Sequence, residues 1–116
     1  MSRVFLAEPN GRYDLTAARE FGDIVYLSDQ SMNPFDTATV VDKLETALIQ
    51  AGFKPDEDYI CMTGQSLTVA MLLAVAAATY PMVRLLMFDA RGSNYRERVF
   101  SAGDPGESLS KEAEVA

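Results

Sequence analysis

Two short runs carry the residue types best suited to chemistry in this 116-residue chain. Thr63-Gly64-Gln65-Ser66 joins the apolar run 59–62 to the charge-free stretch 67–80. Gly64 lets a ligand approach the backbone, and Gln65 and Ser66 offer side-chain donors. A helix beginning there presents free N–H groups and the positive end of its dipole to an anion. Asp89-Ala90-Arg91 follows a second apolar run, 83–88. Asp89 suits Mg²⁺, Mn²⁺ or a ribose hydroxyl, and Arg91 suits a phosphate held in a planar fork. Both runs also have plain structural uses. Ser66 serves equally as a helix N-cap, and Asp89-Ala90-Arg91-Gly92-Ser93-Asn94 as a turn in which Arg91 pairs with Asp89.

Other chemistries are excluded by composition. Thr63-Gly64-Gln65-Ser66 lacks the spacing and the Lys-Ser/Thr ending of a P-loop, and no GxGxxG occurs. The chain has no histidine and one cysteine, Cys61. A histidine base or triad is therefore impossible within one chain, a zinc site would need unusual ligands, and an internal disulfide cannot form. The net charge of −7 speaks against long nucleic acid and anionic membrane as partners, while leaving room for a small phosphorylated ligand. The N-terminal apolar run is too short for a signal peptide, and the continuous apolar part of 59–83 falls short of the ~18 residues of a membrane span. The expectation is a soluble, cytoplasmic protein.

The elements that would position these residues follow from periodicity. Residues 3–8 and 23–28 read as strands, with a short helix over "LTAAREF" between them, started by Asp14 or Thr16 and stopped by Gly22. Asp36 caps a helix over 37–51, in which Val40, Val41, Leu44, Ala47, Leu48 and Ala51 share one face and Ile49 falls outside it. Gly52 ends that helix and "KPDED" turns the chain. Residues 59–62 form a short buried strand, 67–80 a helix stopped by Pro81, and 83–88 another strand. Residues 95–100 return beside it, their charges marking an edge. From Ser101 the sequence turns small, polar and acidic, the composition of a disordered tail.

The order β-α-β-α-β-α-β-β predicts a single small α/β domain over 1–100, with a mainly parallel sheet and an antiparallel last strand. A ferredoxin-like α+β sheet is the alternative. If 59–62 and 83–88 are parallel neighbours, Gly64–Ser66 and Asp89–Arg91 emerge at one carboxyl edge, where α/β proteins place ligands. Glu8, Asn10 and Asp29 follow the other strands toward the same crevice, and Tyr95 is either a stacking platform or core. The helix at 67–80 carries no charge on any side, so it must be covered all round, by the helix 37–51 or by a second copy of the chain.

The run Ile60–Gly64, the apolar helix from Leu67 to Tyr80, Pro81, and Phe88-Asp89-Ala90-Arg91 resemble, over residues 37 to 100, the small CRISPR-associated ring nucleases. The resemblance implies an oligomer that binds cyclic oligoadenylate messengers and cleaves them with metal, its aspartate and arginine falling on Asp89 and Arg91. The family's histidines near the end of the preceding helix have no counterpart, since residues such as Ala77 and Tyr80 stand there. The resemblance then implies binding without turnover, in a phage or mobile-element accessory protein that sequesters or senses the messenger.

Three functions are thus in play. The first is a nucleotide- or phosphate-binding protein using Gly64, Gln65, Ser66, Asp89 and Arg91, with no cofactor beyond Mg²⁺ or Mn²⁺ at Asp89. The second is a non-catalytic accessory protein that assembles through helix 67–80. The third is a metal-dependent, ring-nuclease-like phosphodiesterase, which the missing histidines disfavour.

Overall fold

A short charged or polar segment ends each apolar run, and the runs between them set the architecture of the computed structural model, which describes residues 2–9 and 14–101. The strands are β1 (Arg3–Leu6), β2 (Asp23–Tyr26), β3 (Tyr59–Cys61), β4 (Val83–Asp89) and β5 (Asn94–Phe100). The helices are α1 (Thr37–Gln50) and α2 (Ser66–Thr79), with a 3-10 turn at Ala18–Glu20. One sheet runs β2-β1-β3-β4-β5, parallel except for the last pair. This is the expected α/β sheet, and its order excludes the ferredoxin-like alternative. The acidic tail expected from Ser101 onward falls mainly on 102–116, outside the described residues.

Crossover handedness explains the layers. From β1 the chain steps outward to β2, then back across β1 to β3 and on to β4. Right-handed connections for opposite steps lie on opposite faces of the sheet. Both long helices therefore share one face and touch each other, while among the described residues the 3-10 turn and its flanks cover the other. On the helical face Phe5, Ile60, Val83 and Leu85 pack against Val40, Leu44 and Leu48 of α1 and Met71, Leu72, Val75 and Ala76 of α2. On the opposite face Val4, Leu6, Tyr59, Cys61, Leu86 and Tyr95 meet Leu15 and Ala18. β1 and β3 are buried on both faces, which is why their sequences run apolar without alternation.

Four local expectations change, beginning with Asp36, which stands at the N-cap position of α1 but makes no side-chain capping hydrogen bond. The helix expected over "LTAAREF" is a single 3-10 turn, preceded by an Asp14 carboxylate that accepts from the Thr16 N–H and hydroxyl. The cap of α2 is Gln65 rather than Ser66. Its Oε1 accepts from the Thr68 N–H at 2.8 Å, and Ser66 is the first helical residue. Nor do the described residues of this one chain cover α2 all round: Ala70, Ala74 and Ala78 are exposed on it. No helix among the described residues is long and apolar enough to cross a membrane.

α1 ends as its sequence requires. Gly52 takes a φ of 69°. Its N–H bonds to the Ile49 carbonyl and that of Phe53 to the Leu48 carbonyl, a Schellman closure in which Phe53 and Leu48 join the same core. The carbonyls of Ala51 and Gly52 then accept from the Arg3 guanidinium at 2.7 and 2.8 Å. A cation at the negative end of the helix dipole is favourable there.

Gly22 tests this packing. A Cβ at that position would overlap the backbone carbonyl oxygen of Ser2, with the carbonyl carbon only 2.6 Å away. Backbone cannot swing aside as a flexible side chain does. Gly22→Ala is expected to cost on the order of 1–3 kcal/mol, the range for a backbone forced from its well or an overpacked site. Chemical denaturation of both proteins would measure it; equal midpoints would show that the start of the chain yields freely.

Candidate functional site

β3 and β4 are parallel neighbours, so the segments that follow them leave the sheet at the same edge. After β3 the chain must turn at once into α2. Gly64 makes that turn with a φ of 146°, a conformation L side chains rarely adopt, and a Cβ there would sit 3.2 Å from Val69 Cγ2. After β4 the hairpin turn 90–93 reverses the chain into β5, with Ser93 at a φ of 52°.

Strand alternation sorts the side chains at this edge. Leu86 and Phe88 point to the face opposite the helices and pair with Glu97 and Tyr95 of β5. There a hollow of about 510 Å³ opens among Asp14, Ala17, Met62, Thr63, Gly64, Phe88, Ser93 and Tyr95. That volume lies within the range of small-molecule sites. Its wall holds the Tyr95 ring, which is buried, edge-on to Phe88 with centroids 5.3 Å apart. The Tyr95 and Thr63 hydroxyls are 2.8 Å apart, and either can donate. At the rim, Asp14 Oδ1 is engaged by Thr16. Those bonds hold the Asp14 carboxyl below the usual aspartate range, so it faces the hollow as an acceptor.

Asp89 and Arg91 line a different hollow, about 410 Å³, with Met87, Phe88, Ala90, Arg96 and Arg98. Phe88 lines both spaces, while the turn 90–93 gives Ala90 and Arg91 to the smaller and Ser93 to the larger. Asp89 Oδ1 accepts from the Arg91 backbone N–H at 3.0 Å and from Arg91 Nε at 3.3 Å, while Oδ2 meets Arg96 Nε at 2.8 Å. The Arg91 bonds, with the charge of Arg96, hold its carboxyl below the usual range. A carboxylate engaged by two guanidiniums is poorly placed to take a metal ion, since the cations would have to be displaced or would repel it. The Arg91 side chain is 89% exposed and uses only Nε on Asp89, so among the described residues its two terminal nitrogens face solvent.

The expected site is therefore rearranged. Gly64 opens on the larger hollow and Asp89 and Arg91 on the smaller. Gln65 is engaged by Thr68 as the helix cap, and Ser66 is exposed beside it. Glu8 is engaged elsewhere, its Oε2 accepting from the Met32 N–H. Asp29 is exposed near α1, and Asn10 lies outside the described residues.

A family model for phage Pam3 gp32-like proteins matches residues 4–102. The chain belongs to this family. The match takes in both hollows and all five strands from Val4 onward. No curated protein and no solved structure matches the chain.

Several lining residues of this phage-family protein stand outside the expected contacts Gly64, Gln65, Ser66, Asp89 and Arg91: Asp14, Ala17, Met62, Thr63, Phe88 and Ser93. Alternation carries the one usable signal. With Leu86 buried under Tyr95, Phe88 must emerge at the strand end on the same face. Cys61, one residue inward, is not a reactive thiol: burial pushes it up, against weaker pulls from Thr63 and Tyr95.

Proposed function

We propose that this phage-family protein binds a small phosphorylated ligand of the nucleotide class without turning it over. The observation that carries the reading is the hollow of about 510 Å³ at the carboxyl edge of parallel β3 and β4. Phe88, Met62 and Tyr95 give it apolar and aromatic surface for a base. Thr63, Ser93 and the Asp14 carboxylate give acceptors and hydroxyls for a base edge or ribose. Arg91, on the turn that also carries Ser93, supplies a guanidinium fork for phosphate. Cyclic oligoadenylate is the member of the class that the ring-nuclease resemblance singles out. Binding without chemistry is favoured by the absence of histidine, the protonated Cys61 and the doubly paired Asp89.

A thermal-shift screen tests this, using cyclic oligoadenylates, cyclic dinucleotides, mononucleotides and inorganic phosphate, each with and without Mg²⁺ or Mn²⁺. A ligand at a hundred times its Kd stabilises by about 2.7 kcal/mol, a rise on the order of ten degrees for a domain of this size. One nucleotide class is expected to give such a rise. Arg91→Ala is expected to weaken it at least tenfold with the fold intact, and Tyr95→Phe to weaken it less. A flat screen would remove the hollow as a nucleotide site. Product release that Asp89→Asn abolishes would instead favour the phosphodiesterase. The open line Ala70, Ala74 and Ala78 supports a second reading, assembly through α2. Sedimentation velocity across a concentration series would decide it, a concentration-independent monomer counting against assembly.

A further inference from the structure

β5 is an edge strand, and among the described residues no strand pairs with its outer side. Its exposure is high: Val99 is 60% exposed, and Arg96, Arg98 and Phe100 are also at the surface. The β4–β5 hairpin, residues 83–100, also inverts the charge of the chain. It carries four arginines, Arg84, Arg91, Arg96 and Arg98, against two carboxylates, a net of +2 in a protein of −7. Both carboxylates are already engaged, Asp89 by Arg91 and Arg96 and Glu97 by Arg84. Arg98 has no carboxylate partner among the described residues. Its Nη1 folds back to the Glu97 backbone carbonyl at 2.7 Å.

Exposed edges invite another strand, and like charges placed directly opposite resist it. A second copy pairing antiparallel about a two-fold axis would bring such charges together. The registers of longest overlap, centred on Arg96, Glu97 or Arg98, set Arg96 against Arg96, Glu97 against Glu97 with Arg96 against Arg98, or Arg98 against Arg98. An acidic strand meets the opposite situation. Arg96 and Arg98 lie two residues apart on one face, so alternate residues of an added strand fall beside them. The residues between would lie on the face of Val99.

We propose that the β5 edge docks an extended acidic segment of a partner protein by strand addition, with carboxylates on alternate residues beside Arg96 and Arg98 and apolar residues between them on the Val99 face. The main-chain ladder supplies affinity, and the alternating pattern supplies selectivity. Docking requires the Arg98 guanidinium to leave the Glu97 carbonyl for a partner carboxylate. The proposal does not rest on ligand binding in the Thr63–Tyr95 hollow, although Arg96 and Arg98 share the smaller hollow with Arg91.

Fluorescence anisotropy with the full chain tests it. The probe is a labelled peptide alternating glutamate and valine, compared with its lysine–valine counterpart and with the same glutamate peptide N-methylated at alternate residues. The glutamate peptide is expected to bind, more weakly as salt rises, and at least ten times tighter than either comparison peptide. Arg98→Glu is expected to lose at least tenfold. Arg98→Ala loses less. Circular dichroism checks that each variant is folded. No binding at millimolar peptide overturns the proposal, as does equal affinity for the N-methylated peptide, which would mean charge attraction without a strand ladder. Unchanged affinity in folded Arg98→Glu overturns it as well.

Discussion

Asp58→Ala is expected to destabilise the protein by about 3–5 kcal/mol, the cost of stranding one partner of a buried ion pair. The Asp58 side chain is 1% exposed. Its carboxylate accepts the Arg3 backbone N–H at 3.0 Å, Arg3 Nη2 at 2.9 Å and the Lys54 N–H at 2.8 Å. The same guanidinium holds the end of α1, so one carboxylate ties the start of β1, the last turn of α1 and the 54–58 turn together. Losing it leaves Arg3 partly buried without its counter-charge and two backbone donors unmet. A domain of this size has roughly 5–15 kcal/mol in all, so urea denaturation should show a large fall in midpoint. A change below about 1 kcal/mol would mean that water enters and replaces the carboxylate.

The same residue gives the protein an acid limit. Burial pushes the Asp58 carboxyl up, but hydrogen bonds from the Arg3 side chain and from the Lys54 and Arg3 N–H groups, with the Arg3 charge, outweigh it and hold it below the ordinary 3.8. A folded-state value lower than the unfolded one adds stability above the unfolded value and loses it as pH falls through the folded value. The stability advantage of the wild type over Asp58→Asn is therefore expected to be full near neutral pH. It should shrink as pH drops below about 3.8. Denaturation of the pair from neutral pH down into the acid range reads this difference directly, and a pH-independent gap would assign the loss to packing.

Phe5→Ala is the second large effect, expected at about 3–5 kcal/mol for a fully buried phenylalanine. Phe5 is 0% exposed at the centre of β1, between the two neighbouring strands and beneath the helices. Its ring meets Phe53 edge-on at 5.5 Å, and Phe53 meets Tyr80 at 5.0 Å. The Arg3 guanidinium lies 4.9 Å from the Phe5 ring centre. Truncation would remove contacts beneath the C-terminal ends of both helices and leave a cavity that rigid strands on either side cannot close. Phe5→Leu should recover most of the loss, because most of the volume returns. A denaturation midpoint for Phe5→Ala close to wild type would show that this core collapses around the gap. Phe5 and Asp58 lie outside the Thr63–Tyr95 hollow, so ligand affinity in folded material should not follow the stability losses.

Local chemistry explains the features that were legible in the sequence. The order of strands and helices follows from apolar runs ended by Gly, Pro and Asp. The long amphipathic helix follows from its 3.6-residue stripe, with Ile49 outside it and 54% exposed. The charges of β5 mark an edge because a charged strand is hard to bury between others. Asp89 and Arg91 pair as a local turn allows, being two residues apart.

Other features depend on partners far along the chain. Asp58 reads as one of several acids in a turn, and only Arg3, 55 residues away, makes it a buried clamp. The choice of Gln65 over Ser66 as cap turns on where the first helical residue begins after Gly64. α2 reads as a helix to be covered on every side, by α1 or by a second copy, and the described residues of the single chain leave its alanine line open. The split of the expected site into two hollows is likewise tertiary. Neighbours in sequence on a strand point to opposite faces, so Phe88 reaches the larger space while Asp89, one peptide bond away, lines only the smaller. Sequence by itself determined which segments form the sheet and which edge gathers the polar loops. Which side chains share a space at that edge was decided by strand order and pleat, because those alone set the face each one takes.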